Sequence, residues 1–250
     1  MWFFYDVTHR LHRYCNPISA DKIEQLGCIL DLQQGMRVLD IACGFGQLLI
    51  TYANDFGIHG VGVDASPLAV KRALKRKREQ APNAEMQFVH ERGENYRLAD
   101  DEQQYDVVMC IGASWIWNGY EGTVKAMRGF CKPSGLLVVG EPHWKTEPSA
   151  EYLATQDFDR TTFFTLHENV TMARDMGLRL VYLIVSNEDD WDQYETLQVA
   201  GVDRFARENP DHPDLPAIRE RVDTGYESYL KWGRDTFGFA TLVFRVPESE

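Results

Sequence analysis

The most informative stretch of the chain reads Val38-Leu-Asp-Ile-Ala-Cys-Gly-Phe-Gly46. Val38, Leu39 and Ile41 predict a buried β-strand over 37–41, and the glycines that follow predict a turn in which the backbone comes close to a ligand. A helical pattern comes next, so the turn leads into the free N–H groups of a helix N-terminus, where polar ligands bind. The turn fails the fingerprint of a dinucleotide site, because the third glycine position of that fingerprint holds Leu49.

Short apolar segments alternate with helical patterns after this turn, which predicts a parallel α/β sheet with right-handed crossovers. Ser66-Pro67 has the N-cap and first-turn proline of a helix start, and further helices are predicted over 122–130 and 167–176. Pro133-Ser-Gly135 predicts a turn into the fifth strand. The strands after the first are predicted at 60–63, 86–89, 105–111, 136–141, 178–185 and 239–246.

The composition limits the classes of partner. The chain has 250 residues with 26 basic and 38 acidic side chains, and its net charge of −12 disfavours a nucleic-acid binder that works through bulk charge. Its five cysteines form no CxxC pair, which suits a reducing compartment and predicts no metal site. No apolar run approaches the ~20 residues of a membrane span, and the N-terminus lacks the basic region of a secretory signal. We expect a cytoplasmic protein, a monomer or homodimer, without membrane or nucleic-acid partners.

Six basic side chains lie within residues 71–78, on the helix predicted after the second strand. Contact with nucleic acid is one interpretation of this run. The other is a solvated helix face whose positive charges complement the helix C-terminus. The negative net charge and the absence of interleaved aromatic residues favour the solvated face.

The stretch that ends at Gly46 resembles the first motif of class I S-adenosylmethionine-dependent methyltransferases, which has the form D-x-[AG]-x-G-x-G. Gly60-Val-Gly-Val-Asp64-Ala-Ser-Pro67 resembles their second motif, 24 residues after Asp40. In that motif the acidic residue binds both ribose hydroxyls, and a carboxylate suits this task because it accepts two hydrogen bonds. The resemblance implies S-adenosyl-L-methionine as cofactor and S-adenosyl-L-homocysteine as product, bound by Asp40, Ala42, Gly44, Gly46, Asp64, Ala65, Glu94, Cys110 and Ile111.

The adenine side of this implied site is less defined. The family carries an acidic or polar residue after the third strand, and here Arg92 stands at the expected position. Glu91, Glu94 or backbone N–H groups are the alternatives for this contact.

The likeness extends from about residue 9 to residue 246 and is strongest to a little-described group of bacterial small-molecule methyltransferases. The segments that carry it are 16–19, 110–114, 140–144 and 190–194. It implies a Rossmann-like, three-layer α/β/α fold, in which the sheet has seven mostly parallel strands and an antiparallel last strand.

The same likeness indicates a single domain over residues 1–250. We expect a helical cap at 1–35 and a cofactor-binding half at 36–146. The segments 147–165 and 187–235 are expected to be helical lid insertions on the acceptor side, since open α/β sheets bind ligands beyond the carboxyl ends of their strands.

Candidate catalytic residues lie at the end of the fifth predicted strand. Glu141 and His143 are expected to face the crevice, and the ordinary pKa of a histidine, ~6.5, suits a general base at neutral pH. A structural role for the histidine is the alternative.

The expected acceptor-binding residues are aromatic. Trp115 and Trp117 follow the fourth strand and are expected to form a wall beside the sulfonium, with a hydrophobic plug or an interface as the alternative. Trp144 is expected at the same crevice. Trp191 and Tyr194 lie in an acidic stretch that can hold a cationic amine, or can simply be the capped start of a helix.

Methyl transfer to a small molecule through nitrogen, oxygen or sulfur is therefore the expected function, with no metal. A tRNA or protein methyltransferase is the nearest alternative. A cofactor-binding sensor or partner protein without catalytic activity is the alternative from another class.

Overall fold

A computed structural model describes residues 2–98 and 103–248 of the chain. Within these residues the strands form one seven-stranded sheet in the order β3-β2-β1-β4-β5-β7-β6. All neighbouring strands are parallel except β7, which is antiparallel to both β5 and β6. The expected sheet is therefore confirmed. The strands are β1 Arg37–Ile41, β2 His59–Asp64, β3 Met86–His90, β4 Tyr105–Ile111, β5 Cys131–Trp144, β6 Arg179–Val185 and β7 Phe237–Arg245.

Helices cover both faces of this sheet. The first five are α1 Trp2–Thr8, α2 Ala20–Ile29, α3 Gln47–Phe56, α4 Pro67–Gln80 and α5 Tyr120–Phe130. The remaining five are α6 Ala150–Leu153, α7 Leu166–Asp175, α8 Glu188–Glu208, α9 Leu215–Ser228 and α10 Arg234–Thr236. Short 3₁₀ turns lie at Gly93–Asn95 and Ser114–Trp117, and a π-helical turn at Tyr229–Gly233. Among the described residues, none of the helices combines the length and apolar character that a membrane crossing requires.

The central strands are buried on both sides, as expected for a parallel sheet between two helical layers. In β1, Val38 packs into the cluster that contains α2 and α3, whereas Leu39 packs into the cluster that contains α5. A third, smaller apolar cluster joins α1 to α8 and α9. The three-layer architecture is confirmed, and the third cluster places the N-terminal helix beside the long helix after β6.

The fifth strand is longer than the sequence indicates. It begins at Cys131, before the predicted turn, and continues through His143 and Trp144, which pair with Gly238 and Phe237 of β7. The antiparallel neighbour extends the strand, because a pairing partner lies alongside it up to Trp144. The predicted turn survives as an irregularity, with Ser134 at a φ of 62°.

Candidate active site

A cavity of about 330 Å³ lies beyond the carboxyl ends of β1, β2 and β4. The N-terminal segment, residues 2–18, forms much of its opposite wall. The sheet side contributes Asp40, Ala42, Gly44, Asp64, Ile111 and Gly112, and the opposite side contributes Tyr5, His9, Tyr14, Cys15, Asn16 and Tyr194.

The turn after β1 owes its shape to alternating left-handed residues. Ala42, Gly44 and Gly46 have φ angles of 61°, 54° and 69°. Only glycine adopts this conformation freely, so Ala42 is held there against a cost of about 1 kcal/mol. A Cβ at Gly46 would lie 2.5 Å from the Phe88 ring, which shows how closely the start of α3 packs on β3.

Backbone donors fix the carboxylate of Asp64. Its Oδ2 accepts a hydrogen bond of 2.9 Å from Gly44 N–H, and its Oδ1 accepts one of 2.8 Å from Ser66 N–H. Burial raises the pKa of Asp64, and these two hydrogen bonds oppose the rise because they stabilise the charged form. The first glycine turn and the end of β2 are thereby joined at one carboxylate that lines the cavity.

A second carboxylate lies nearby. Burial and the neighbouring charge of Asp64 raise the pKa of Asp40 to about 8. Two carboxylates in one buried cavity repel each other, so a ligand that brings positive charge and hydrogen-bond donors is favoured there.

A histidine–tyrosine pair closes the other side of the cavity. His9 Nε2 lies 3.0 Å from the Tyr194 hydroxyl, and His9 Nδ1 lies 2.9 Å from Thr8 Oγ1. His12 Nε2 lies 2.9 Å from the backbone oxygen of Tyr194, which ties the end of α1 to α8 a second time. Burial lowers the pKa of His9 to about 3, so its ring is neutral.

Comparison with known proteins decides what binds here. Residues 38–135 match the profile of a family described as a methyltransferase domain. The structure superimposes, with a TM-score of 0.90, on a SAM-dependent methyltransferase from Geobacter sulfurreducens solved in complex with S-adenosyl-L-homocysteine; the two are 30% identical over 97% of each chain. The chain belongs to the S-adenosylmethionine-dependent methyltransferases.

Other proteins are similar to this one over nearly the whole chain. A SAM-dependent methyltransferase from Thiobacillus denitrificans, also in complex with S-adenosyl-L-homocysteine, is 30% identical over 96% of both chains, with a TM-score of 0.88. The uncharacterized protein YjhP of Escherichia coli is 30% identical over 241 residues, 96% of each chain. The chain is thus a methyltransferase enzyme with S-adenosylmethionine as its cofactor, which confirms both expectations.

The cavity of this methyltransferase fits that cofactor. S-adenosylmethionine carries an ammonium and a sulfonium, and the two carboxylates at Asp40 and Asp64 complement positive charge. The volume is within the range of small-ligand pockets. Within the described chain, no cluster of three or more histidine, cysteine, aspartate or glutamate side chains is arranged to hold a metal ion.

The structure brings seven of the sequence-derived site residues together around this cavity: Asp40, Ala42, Gly44, Asp64, Ile111, Trp115 and Tyr194. Trp115 is 71% exposed and lies at the mouth of the cavity. The remaining residues predicted to bind cofactor lie outside the lining. Gly46 packs on Phe88, Cys110 is buried in the sheet core, the Ala65 carbonyl lies 3.2 Å from His90 Nε2, and Glu94 pairs with Arg92.

Glu141 and His143 lie in β5 and do not line the cavity. Glu141 is 1% exposed and accepts a hydrogen bond of 2.9 Å from the Ser114 hydroxyl. Burial raises the pKa of Glu141 to about 8, whereas burial and the charge of Lys145 lower the pKa of His143 to about 4. His143 packs closely on Gly238, where a Cβ would lie 2.5 Å from the ring.

Three of the five predicted acceptor-binding aromatics pack elsewhere. Trp144 donates its Nε1–H to the Arg160 carbonyl and contacts Phe163 and Phe237. Trp191 packs against Phe239, and Trp117 packs against the core on the α5 side of the sheet. The longer β5 explains the position of Trp144, because paired backbone holds it in the sheet.

Of the segments expected to cover the cavity, the two insertions contribute little. None of residues 147–165, all of which the structure describes, lines the cavity, and 187–235 contribute only Tyr194. The cover comes from residues 2–18, which lie within the cap expected at 1–35, although no single residue of that cap was predicted as a site residue. The residues that sequence reasoning missed therefore lie there, and the aromatic, helix-spaced start of the chain was the signal that could have found them.

Basic residues of α4 hold this cover in place. Arg72 forms a 2.6 Å ion pair with Asp6, and Arg76 donates to the carbonyl oxygens of His12 and Arg13, each at 3.0 Å. Both guanidinium groups lie over the Phe45 ring, at 4.8 and 5.2 Å. The basic run thus binds the chain's own N-terminus.

Proposed function

We propose that this enzyme transfers a methyl group to a small-molecule acceptor. The observation that carries the proposal is the N-terminal cover: residues 2–18 lie across the cofactor cavity and are fastened to α4 and to α8. A covered cavity favours an acceptor that fits beneath the cover, and enclosure excludes water from the reacting groups.

The main argument for a tRNA acceptor was the basic run at residues 71–78, and the contacts of these side chains weaken that argument. Arg72 and Arg76 contact the N-terminal segment, and Lys77 donates to the Met86 carbonyl at 2.7 Å. Lys75 also lies 3.9 Å from Glu79, so four of the six basic side chains have partners within the chain, which reduces the positive charge that α4 offers to phosphates.

The sheet side of the cavity holds the cofactor in this proposal. Asp64 binds the ribose hydroxyls, with its carboxylate held by Gly44 and Ser66. Asp40 and the turn at Ala42 bind the amino-acid end of the cofactor through charge and backbone groups. When bound, S-adenosylmethionine supplies a methyl carbon on a sulfonium, and the sulfonium is a leaving group that needs no activation. The protein therefore acts mainly by positioning the acceptor and excluding water.

The experiment separates acceptor classes directly. The enzyme is incubated with S-adenosylmethionine labelled in its methyl group and with a bacterial extract, which is then fractionated into small molecules, tRNA and protein. We expect enzyme-dependent label in the small-molecule fraction. Label in tRNA or protein would contradict the proposal, and cofactor binding without label in any fraction would favour a sensor.

A further inference from the structure

A second cavity, of about 260 Å³, adjoins the cofactor cavity. The two share Tyr5, His9 and Tyr194 as lining residues, so the cavities meet at these side chains. We call the second cavity the side chamber. Its other polar lining residues are Glu195 and Gln198 of α8 and Arg221 and Tyr226 of α9.

Two side chains of opposite charge, Glu195 and Arg221, line the side chamber, and neither forms an ion pair with another described residue. Glu195 Oε2 accepts a hydrogen bond of 3.2 Å from Gln198 Nε2, and burial raises the pKa of Glu195 to about 7. Arg221 lies with its guanidinium 4.4 Å from the centre of the Phe4 ring. Glu195 is partly buried, and a carboxylate withdrawn from water without a cation is costly, so the chamber favours a ligand that brings positive charge to Glu195.

Two neighbouring acidic side chains, in contrast, already have partners within the protein. Asp190 pairs with Lys22 at 2.5 Å and caps α8, whereas Asp192 binds Tyr229 and Arg234. The acidic stretch at the start of α8 is therefore structural. Glu195, one turn further along the helix, is the carboxylate that faces a cavity.

The side chains at which the two cavities meet offer a hydrogen-bond acceptor to the ligand. The Thr8 hydroxyl donates to the Phe4 carbonyl at 3.0 Å, so we assign the proton of His9 to Nδ1, which donates to Thr8 Oγ1. His9 Nε2 then accepts the hydroxyl proton of Tyr194. This series of hydrogen bonds leaves the lone pairs of the Tyr194 oxygen available to accept a hydrogen bond from an N–H group in the cavity.

We propose that the side chamber binds the methyl acceptor, and that the acceptor is a small zwitterion whose basic nitrogen faces Glu195 and whose acidic group faces Arg221. The rings of Tyr5 and Tyr226 add a favourable surface for a cationic nitrogen. A cavity of this volume accommodates a molecule the size of an amino acid. The inference rests on the proposed function, because it takes the acceptor to be a small molecule.

The proton and electron balance of the transfer follows from this placement. The ammonium group gives one proton to the Glu195 carboxylate, which frees the nitrogen lone pair. That lone pair forms the new N–C bond, while the electron pair of the broken C–S bond stays on sulfur. The product leaves as the methylated ammonium ion, and Glu195 releases its proton to solvent.

The test is calorimetric titration of the protein saturated with S-adenosylhomocysteine. β-Alanine and phosphoethanolamine each combine an amine with an acid, whereas ethylamine and propionate carry one group each. We expect the two zwitterions to bind at least about tenfold more tightly than either single-group probe. The relative affinity of β-alanine and phosphoethanolamine distinguishes a carboxylate from a phosphate ligand.

Variants assign the effect to the chamber. Glu195→Gln should weaken zwitterion binding by about tenfold or more and leave the affinity for S-adenosylhomocysteine within about twofold. Arg221→Met, a change at an exposed side chain, should weaken it similarly. Glu188→Gln, on the same helix and outside the chamber, is the matched control and should bind like the wild type.

Zwitterions that bind no better than ethylamine or propionate would overturn the inference, as would unchanged affinity in both chamber variants. In either case intact S-adenosylhomocysteine binding would leave the proposed function standing. A wild-type protein that fails to bind S-adenosylhomocysteine would overturn both.

Discussion

The carboxylate of Asp64 shows how single residues join separate parts of the site. It ends β2, yet its oxygens accept hydrogen bonds from Gly44 in the turn after β1 and from Ser66 at the start of α4. Both partners are backbone N–H groups, so their donor role does not depend on a side-chain conformation. The same carboxylate faces the cavity, where we place the ribose.

Asp64→Asn should weaken S-adenosylhomocysteine binding by roughly 1.5–3 kcal/mol, the scale of hydrogen bonds to a charged group. The amide keeps one acceptor oxygen, but its NH₂ group faces a backbone N–H where the second oxygen was. Titration calorimetry measures the effect. The exposed Asp55→Asn on α3 is the control, and equal affinities in the two variants would remove Asp64 from the site.

Gly46→Ala should destabilise the fold by about 2–4 kcal/mol, because it adds left-handed strain to a clash with Phe88. Gly129 lies in α5, where an added Cβ would have no neighbouring heavy atom within 4 Å. Gly129→Ala should therefore stabilise the protein by about 0.5–1 kcal/mol through helix propensity. Urea denaturation of both variants checks this. A Gly46→Ala protein as stable as the wild type would contradict the packing of the turn.

Glu141→Gln should stabilise the protein at alkaline pH. Burial raises the folded-state pKa of Glu141 from 4.5 to about 8, so the native state binds more protons and the wild type loses stability as the pH rises through this window. The glutamine cannot ionise and escapes that loss.

The measurement is urea denaturation at pH 5 and pH 9, with the exposed Glu24→Gln as control. The stability advantage of Glu141→Gln should be larger at pH 9. An advantage that shrinks between pH 5 and pH 9 would show that Glu141 is not buried in a charged form there.

At the scale of elements, the sequence predicted what periodicity and turn chemistry determine. β1 and β4 lie at the predicted residues because apolar runs bounded by glycine leave little freedom. The extension of β5 through His143 and Trp144 depends on pairing with β7, more than ninety residues downstream, and no local sequence pattern predicts that pairing. The same tertiary contact holds Trp144 and His143 inside the sheet and away from the cavity.

The contacts that hold the cover over the cavity are the other feature that sequence patterns did not predict. The basic run with Arg72 and Arg76 was predicted to be a solvated face rather than a nucleic-acid surface, since local sequence does not show what packs against α4. The contacts to Asp6 and to the carbonyls after α1 show a third role for these two side chains, which is to bind the N-terminal segment. The glycine turn and the motif that ends at Asp64 located the cofactor cavity, whereas the cover over it depends on these long-range contacts.

Arg72→Met should loosen the N-terminal segment, because it removes the partly buried ion pair between Arg72 and Asp6. Trypsin cleavage after Arg10 or Arg13 should become faster, with the sheet core unaffected. Lys71→Met, an exposed neighbour on α4, is the control. Equal cleavage rates in the two variants would show that Arg72 does not hold the cover.

At the scale of the whole molecule, the three apolar clusters stabilise different parts of the structure. Two of them stabilise the sheet between its helical layers, which fixes the carboxyl ends of β1, β2 and β4. The third joins α1, α8 and α9, and it carries both the cover and the side chamber. The cofactor cavity and the side chamber, which we propose binds the acceptor, therefore rest on different packing units that meet at Tyr194.

Hydrogen–deuterium exchange with and without saturating S-adenosylhomocysteine tests the central claim, that the cofactor binds beneath the N-terminal segment. We predict slower exchange in two regions together, the sheet side at residues 40–46, 64–68 and 111–113 and the cover at residues 2–18. Protection of the sheet side with unchanged exchange at 2–18 would contradict the cover, and unchanged exchange in both regions would contradict the site itself.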